Sequence, residues 1–380
     1  MSGSERSDDL RQHLALALVP GLGPGRTAAV LAHFGSASAA LKATYQQLVT
    51  VPMIGEKLAS QFVDSFRAVN VDAEIALLKK YGVTNLILGR EGYPGRLANI
   101  PDPPPMLYKR GDFAPADENA VGIVGSRACT SYGKKITEKI SAGLARAGWT
   151  VVSGLARGID GVAHAAALDA GGRTIAVLAG GLSKIYPPEH KDLADRVVSN
   201  GLLVTETPMT VEPQPGMFPA RNRIISGLCR AVVIVEANFK SGALITATHA
   251  AEQGREVFAV PGPADSPASA GCLELIRKGV RLVRNADDIL EDLKGIAPVE
   301  PPYDSSPIED AVTKEEIPLG PPPGLDDTQL KIWTLLDRPT PLDELTRTIG
   351  IPVSTLSMML MQLELKRAVR RLPGNQFERR

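Results

Sequence analysis

Hydroxyl, glycine and cationic residues recur in this chain just after short apolar runs. Gly125-Ser126-Arg127 follows the run 121–124, and Ser153-Gly154-Leu155-Ala156-Arg157-Gly158 follows 150–152. Gly180, Gly181, Ser183 and Lys184 come after 175–178, Lys240-Ser241-Gly242 after 232–235, and Pro261-Gly262 after 257–260. Small residues let backbone N–H groups approach an oxyanion, and isolated cations supply the countercharge. Two further groups point the same way. Phe218-Pro219-Ala220-Arg221-Asn222-Arg223 offers two guanidinium forks and, in Phe218, a face on which a base can stack. Lys184-Ile185-Tyr186 with His190 and Lys191 adds a second ring and more cations. A surface cation or an internal salt bridge is the ordinary reading of any one of these. Several on loops that converge at one edge favour an anion site.

Covalent chemistry finds less support. The first turn, Gly122-Ile123-Val124-Gly125-Ser126-Arg127, is not the dinucleotide fingerprint GxGxxG, and no GxxxxGK[ST] loop exists. Ser126 and Ser153 lack the GxSxG elbow. Asp160 and His164 stand four apart on one helical face, but no nucleophile accompanies them. Asp160 is expected to cap the helix beginning at Gly161, and His164 to orient that loop. Glu206 and Glu236, each just past a run, can hold a ribose or pair with local arginines. No catalytic residue, cofactor or metal site is assigned. Cys129, Cys229 and Cys272 are far apart with no CxxC pair, which argues against a disulfide framework or zinc.

The elements that must position these residues are legible between about 83 and 292. The runs 86–88, 121–124, 150–152, 175–178, 202–204, 232–235 and 257–260 are near-continuously apolar, as strands covered on both faces are. Helix-like stretches at 136–147, 162–170, 193–199, 224–230 and 244–253 alternate with them. That succession specifies a mostly parallel, doubly wound α/β sheet, whose ligands bind beyond the carboxyl ends of its strands. Lys plus Arg and Asp plus Glu both total 42 of 380 residues. Neutral totals exclude a globally basic nucleic-acid binder but not a local stripe of arginine.

The flanks read differently. Val19-Pro20-Gly21-Leu22-Gly23 and Val51-Pro52-Met53-Ile54-Gly55 repeat at an offset of 32, the pattern of a helix-hairpin-helix or SAM-like helical domain over 1–75. Arg26 and Lys57 are the charges near those turns. The segment 293–325 holds eight prolines and six acidic against two basic residues, an extended linker by composition. Beyond it, 326–380 reads as three helices and a hairpin around Pro373-Gly374-Asn375, a winged helix-turn-helix. Its third helix, 353–365, offers Ser354, Thr355, Ser357, Met358 and Met359, with Lys366, Arg367, Arg370 and Arg371 following. That composition suits protein docking at least as well as DNA reading. No apolar stretch approaches the ~18 residues of a membrane span. Without a signal-peptide pattern, a soluble cytoplasmic protein is expected.

Over about 80–292 these motifs, in order, resemble the DprA (Smf) family of bacterial DNA-processing proteins. The likeness rests on Val124-Gly125-Ser126-Arg127 with Tyr132-Gly133, on Ser153 through Asp160 with Ala163-His164, and on Tyr186-Pro187. It continues through Phe218 to Gly227, Ser241-Gly242-Ala243-Leu244-Ile245-Thr246 and Val260-Pro261-Gly262. The resemblance implies an extended Rossmann-like domain over 80–292 that binds single-stranded DNA with little sequence preference and works as a homodimer. It also implies loading of RecA onto strands coated by single-strand-binding protein, in natural transformation. The family's DNA-contacting arginine maps to Arg127; later basic residues map to Lys184, Lys191, Arg221 and Arg223. Two other readings compete. A nucleotide-monophosphate enzyme of phosphoribohydrolase type needs a PGGxGTxxE loop, where this chain has Ser241-Gly242-Ala243-Leu244-Ile245-Thr246. A transcription regulator would use the winged helix on duplex DNA.

Overall fold

The apolar runs become the centre of one nine-stranded sheet. The computed structural model describes residues 3–294 and, nearer the C-terminus, 326–336, 338, 340–351, 355–356, 359–360, 362–363, 368–372 and 376–379. Its first nine strands are β1 (Thr84–Ile87), β2 (Met106–Gly111), β3 (Ala120–Val124), β4 (Thr150–Ser153), β5 (Thr174–Val177), β6 (Gly201–Thr205), β7 (Ala231–Ile234), β8 (Glu256–Ala259) and β9 (Arg281–Leu282). They lie in the order β1-β2-β6-β5-β4-β3-β7-β8-β9. From β6 to β9 across the sheet every pairing is parallel, while β2 pairs antiparallel with β6 and β1 with β2.

Strands β3 to β7 are buried at every residue, because helices cover both faces. Alternate side chains of each strand enter different cores. Val121, Ile123, Val151 and Val233 face helices Ser131–Arg146 and Ile159–Asp169 through Ile140, Leu144, Ala163 and Ala167. Val124, Val152, Val232 and Ile234 face helices Met217–Leu228 and Gly242–Glu252 through Ile224, Ile225, Ala243 and Ala247. Fully burying such a Val, Ile or Leu contributes about 1.5–3 kcal/mol. The layering is therefore strongly specified by the apolar pattern, as expected of an extended Rossmann-like doubly wound sheet.

The N-terminal helices Gly3–Ala17, Gly23–Phe34, Ala37–Leu41, Tyr45–Val49 and Glu56–Ala68 close on their own core of Leu16, Val19, Leu22, Val51, Ile54 and Phe62, while helix Val71–Tyr81 packs Leu78 into the core under the sheet. Helix Gly3–Ala17 also sends Leu14 into the core beneath β2 and β6, beside Tyr108 and Leu203. The repeat survives in three dimensions. Gly21 and Met53, 32 residues apart, are both left-handed, with φ of 80° and 65°. Glycine takes that conformation freely, whereas Met53 does so at a cost of about 1 kcal/mol. Arg26 donates Nη1–H to Gly21 O at 2.7 Å, so it closes its own turn.

The chain divides into two compact units, 1–306 and 307–380. Residues 295–325, most of the segment read as linker, lie outside the described residues. In the second unit, helices Asp327–Leu335 and Leu342–Ile349 and helical residues within 355–363 enclose Ile332, Leu336, Leu345, Leu356, Leu360 and Phe377. Strands β10 (Thr340–Pro341), β11 (Val369–Leu372) and β12 (Gln376–Arg379) form a three-stranded sheet in the order β10-β12-β11. This is the expected winged helix. Ser354, Ser357, Met358, Lys366, Arg367 and the turn 373–375 lie outside the described residues.

Candidate nucleic-acid interface

Strands β3 and β7 are neighbours from which the chain departs in opposite directions, through β4 and β5 to β6 and through β8 to β9. Their connections diverge at the carboxyl ends and leave a crevice, the usual ligand position in an open α/β sheet. A cleft of about 750 Å3 occupies that position. Gly125, Ser126 and Arg127 line it from β3, Lys240, Ser241 and Gly242 from beyond β7, and Phe218, Arg221 and Asn222 from the helix between. Tyr186 closes one side; Thr246, quoted in its motif but not assigned to the site, and Asn238, which no motif contained, also reach it.

Arg127 is exposed and has no carboxylate partner among the described residues. Its guanidinium lies 4.7 Å over the Phe218 ring. Tyr186, 44% exposed, stands 6.1 Å from Phe218 at an interplanar angle of 59°. Arg157 in turn lies 6.0 Å over Tyr186. Cation, ring, ring and cation thus succeed one another along the rim. Such a series can stack bases and grip phosphates without reading sequence. Arg157 was quoted in its motif but not assigned to the site; only the fold brings the turn after β4 beside the loop after β5.

The helix carrying Phe218 begins earlier than the sequence suggested. Residues 218–223 were expected to precede a helix at 224–230, yet helix Met217–Leu228 contains them, with Pro219 in its first turn, where no N–H is needed. Arg221 and Arg223 therefore cannot act together. Two residues apart on an α-helix is about 200°, so they point to opposite sides. Arg221 turns inward and is 4% exposed. Its Nη1 donates to Gly154 O at 2.8 Å and to Val177 O, tying together the ends of β4 and β5. Burial pushes its pKa down to about 10, with Asp160 pulling it up and Arg127 pushing it down, so it stays charged at neutral pH. It forms the floor of the cleft. Arg223 turns away, its fork held by Glu206 at 2.7 and 3.2 Å and by Asp102 at 3.1 Å. That internal pairing takes it out of the cleft.

The turn after β4 is held by Asp160 and His164, the pair weighed above for catalysis, together with His190. Asp160 lies inside helix Ile159–Asp169, not at its cap, and accepts Gly154 N–H at 3.1 Å. Burial holds its carboxyl above the usual range. His164, fully buried, accepts Leu155 N–H at Nε2, 3.3 Å away, which leaves the proton on Nδ1 to be donated to Thr174 Oγ1 at 2.7 Å. Thr174 passes the series on to Val151 O. His190 donates Nδ1–H to Leu155 O at 2.9 Å. Between them they fix Leu155 at a φ of 55°. His164 thus orients the loop, as expected. Glu236, 3% exposed, accepts N–H and O–H of Thr130 at 2.9 and 2.5 Å, and so anchors the N-cap of helix Ser131–Arg146. Glu206 and Glu236 are both absorbed by structure, and the carboxylate that lines the cleft is Asp160.

Other assigned residues divide by depth. Ser153 is fully buried and donates to Ile123 O at 2.6 Å, away from the cleft. Gly154 is small because a Cβ there would overlap the Arg221 guanidinium. At Gly242, by contrast, nothing stands within 4 Å of that position. Ser241 caps helix Gly242–Glu252, accepting Ala243 N–H at 3.3 Å, and no acidic residue occupies the first turn of that helix. Lys184 lines a small adjoining pocket with Arg157, Gly154, Arg127, Tyr186 and Phe218. Lys191 is exposed at the start of helix Lys191–Ser199 and lines neither space. Among the described residues no group of three His, Cys, Asp or Glu could hold a metal, and no helix is long and apolar enough to cross a membrane.

A switch-point cleft with helix N-termini, exposed cations and a tilted pair of rings defines a Rossmann-like protein whose sheet rim has the chemistry of an anion site. Residues 84–294 match the family model of DNA recombination-mediator protein A, and 317–375 match that of the DprA winged helix domain. Protein Smf of Synechocystis is 35% identical over 97% of this chain and 98% of its own. Among solved structures, DNA processing protein A of Streptococcus pneumoniae aligns with a TM-score of 0.64 at 35% identity, over 74% of this chain and 95% of its own. DNA processing protein A of Helicobacter pylori, whose structure addresses its single-stranded DNA binding mode, aligns at 0.51 and 31%, over 56% and 96%. The chain belongs to the DprA (Smf) family of DNA recombination mediators.

Proposed function

We propose that the cleft between the ends of β3 and β7 holds single-stranded DNA, and that the protein is a binding mediator, not an enzyme. The observation that carries this is Arg127, exposed, without a carboxylate partner among the described residues, and stacked on Phe218 at the switch point. Phosphates lie across the Gly125-Ser126-Arg127 turn and the start of helix Gly242–Glu252, with Lys240 and the buried charge of Arg221 as further attraction. A base stacks against Tyr186 or the free edge of Phe218. The Helicobacter pylori relative, which is described as binding single strands, supports the same use of this fold. The carboxylate facing the cleft, Asp160, is committed to Gly154 N–H, which disfavours the phosphoribohydrolase alternative.

Arg127→Ala is expected to weaken single-strand binding about equally for all sequences, and to lower the slope of log K against log salt by about 0.7. Fluorescence anisotropy with mixed and homopolymeric oligonucleotides, against duplex controls, measures both. Affinity unchanged within error would misplace the track. Family membership supports the finer reading too: a homodimer that loads RecA onto strands coated by single-strand-binding protein, in natural transformation. Exposed apolar side chains at Phe239, Ile245 and Leu282, all on the β7–β9 side, give a second copy surface to cover. Sedimentation tests the dimer, and RecA filament assembly on coated strands tests the loading.

A further inference from the structure

Three exposed cations surround the small pocket beside the cleft, and they are not equivalent. Arg127 has no carboxylate partner among the described residues. Arg157 donates Nε–H to Glu189 Oε1 at 2.5 Å, the two side chains being 54% and 50% exposed. Lys184 donates to Glu212 Oε1 at 2.6 Å, with exposures of 73% and 68%. Neither carboxylate lines the pocket; each reaches in from a neighbouring segment. Glu212 is placed by a laced pair of loops. Gly181 N–H donates to Val211 O at 2.9 Å, Ser183 N–H to Met209 O at 3.1 Å, and Thr207 Oγ1–H to Ala179 O at 2.8 Å. Glu189 lies in the short 3-10 helix Pro188–His190, whose His190 is tied to Leu155 O beside Arg157. Both carboxylates are thus delivered to their cations by built structure.

We infer that Glu189 and Glu212 are placeholders for phosphate, which occupy Arg157 and Lys184 until a strand displaces them and so set how tightly the track holds. This rests on the reading of the cleft as a single-strand track. An exposed ion pair in water is weak, so a phosphate can replace either carboxylate on its cation. The displaced carboxylate then stands beside the bound backbone and repels it. Arg127 and Lys240 grip first, while Arg157 and Lys184 grip at a discount that keeps the strand releasable. A mediator that hands its strand on needs that property.

The experiment is a double-mutant cycle on the full chain, read as anisotropy of a labelled oligothymidylate. Glu212→Gln and Glu189→Gln should each tighten binding about two- to five-fold. The gain from Glu212→Gln should vanish in a Lys184→Ala background, and that from Glu189→Gln in an Arg157→Ala background. Glu138→Gln, on the exposed face of helix Ser131–Arg146, makes the same charge change away from both pairs and should do less. No gain, a gain matched by Glu138→Gln, or a gain that survives loss of the paired cation each overturns the inference. Arg127→Ala, run alongside, separates the two claims. If it weakens binding while the cycle shows no coupling, only the placeholders fall; if it changes nothing, the track falls and they fall with it.

Discussion

Gly154 and His164 show how single side chains set the shape of the cleft from beneath. A methyl group at 154 would occupy the space of the Arg221 guanidinium, which has no room to retreat from the carbonyls of Gly154 and Val177. Gly154→Ala is therefore expected to lower stability by about 1–3 kcal/mol in urea unfolding and to weaken strand binding as the floor shifts. Full stability with wild-type binding would show that Arg221 is not confined. His164 makes a different prediction. Burial, reinforced by the charges of His190 and Arg221, pushes its pKa down to about 3, while the unfolded chain titrates near 6.5. Its contribution is intact above about pH 6.5. As pH falls from there to about 3 the unfolded state takes up the proton first, and stability drops by at most about 1.4 kcal/mol per unit. Asp160, raised by burial, works in the opposite sense above about pH 4. Comparison with His164→Gln isolates the histidine: the variant should lose less between pH 7 and 5 than the parent does. Equal losses would mean that His164 is not held neutral.

Elements differ in how openly the sequence declares them. The runs that became β3 to β8 are apolar on both faces, a pattern few alternatives share. Strand β2 was not foreseen because Lys109 and Arg110 interrupt it and prolines precede it; its pairing with β6 comes from the fold. Strand β9 has two residues and no pattern to read. Helix Met217–Leu228 was placed seven residues late because Pro219 reads as a boundary, although a first-turn proline fits a helix. That displacement turned Arg221 and Arg223 into a pair, whereas helical geometry separates them into floor and scaffold. The turn after β3 depends on an element in the same way. Thr130 caps helix Ser131–Arg146, accepting Gly133 N–H at 3.1 Å, and engages Glu236 with both its N–H and O–H. Thr130→Val keeps the shape and removes the hydroxyl. A stability loss of about 1–3 kcal/mol is expected, together with weaker strand binding because Arg127 lies three residues before the cap. Urea unfolding and anisotropy on one preparation check both, and unchanged binding would uncouple the cap from the track.

Across the whole molecule, charge is organised by position, not by total. Basic and acidic residues balance at 42 each, yet the carboxyl rim of the sheet gathers Arg127, Arg157, Lys184 and Lys240 around two adjoining spaces. The cations, rings and helix N-termini assigned to the track all belong to the unit 1–306. The winged helix has a separate core, closed by Leu336, Leu345, Leu360 and Phe377. Its third helix exposes Thr355 and carries a half-buried Met359 where a DNA-reading helix usually presents Arg, Lys or Asn. Deleting 326–380 is therefore expected to leave single-strand affinity within about threefold and its salt slope unchanged, since each neutralised phosphate adds about 0.7 to that slope. A salt titration of the truncated chain against the full one measures both quantities. A drop in slope would count the phosphates that the winged helix itself neutralises, and loss of nearly all binding would move the principal grip from the sheet rim to the C-terminal unit.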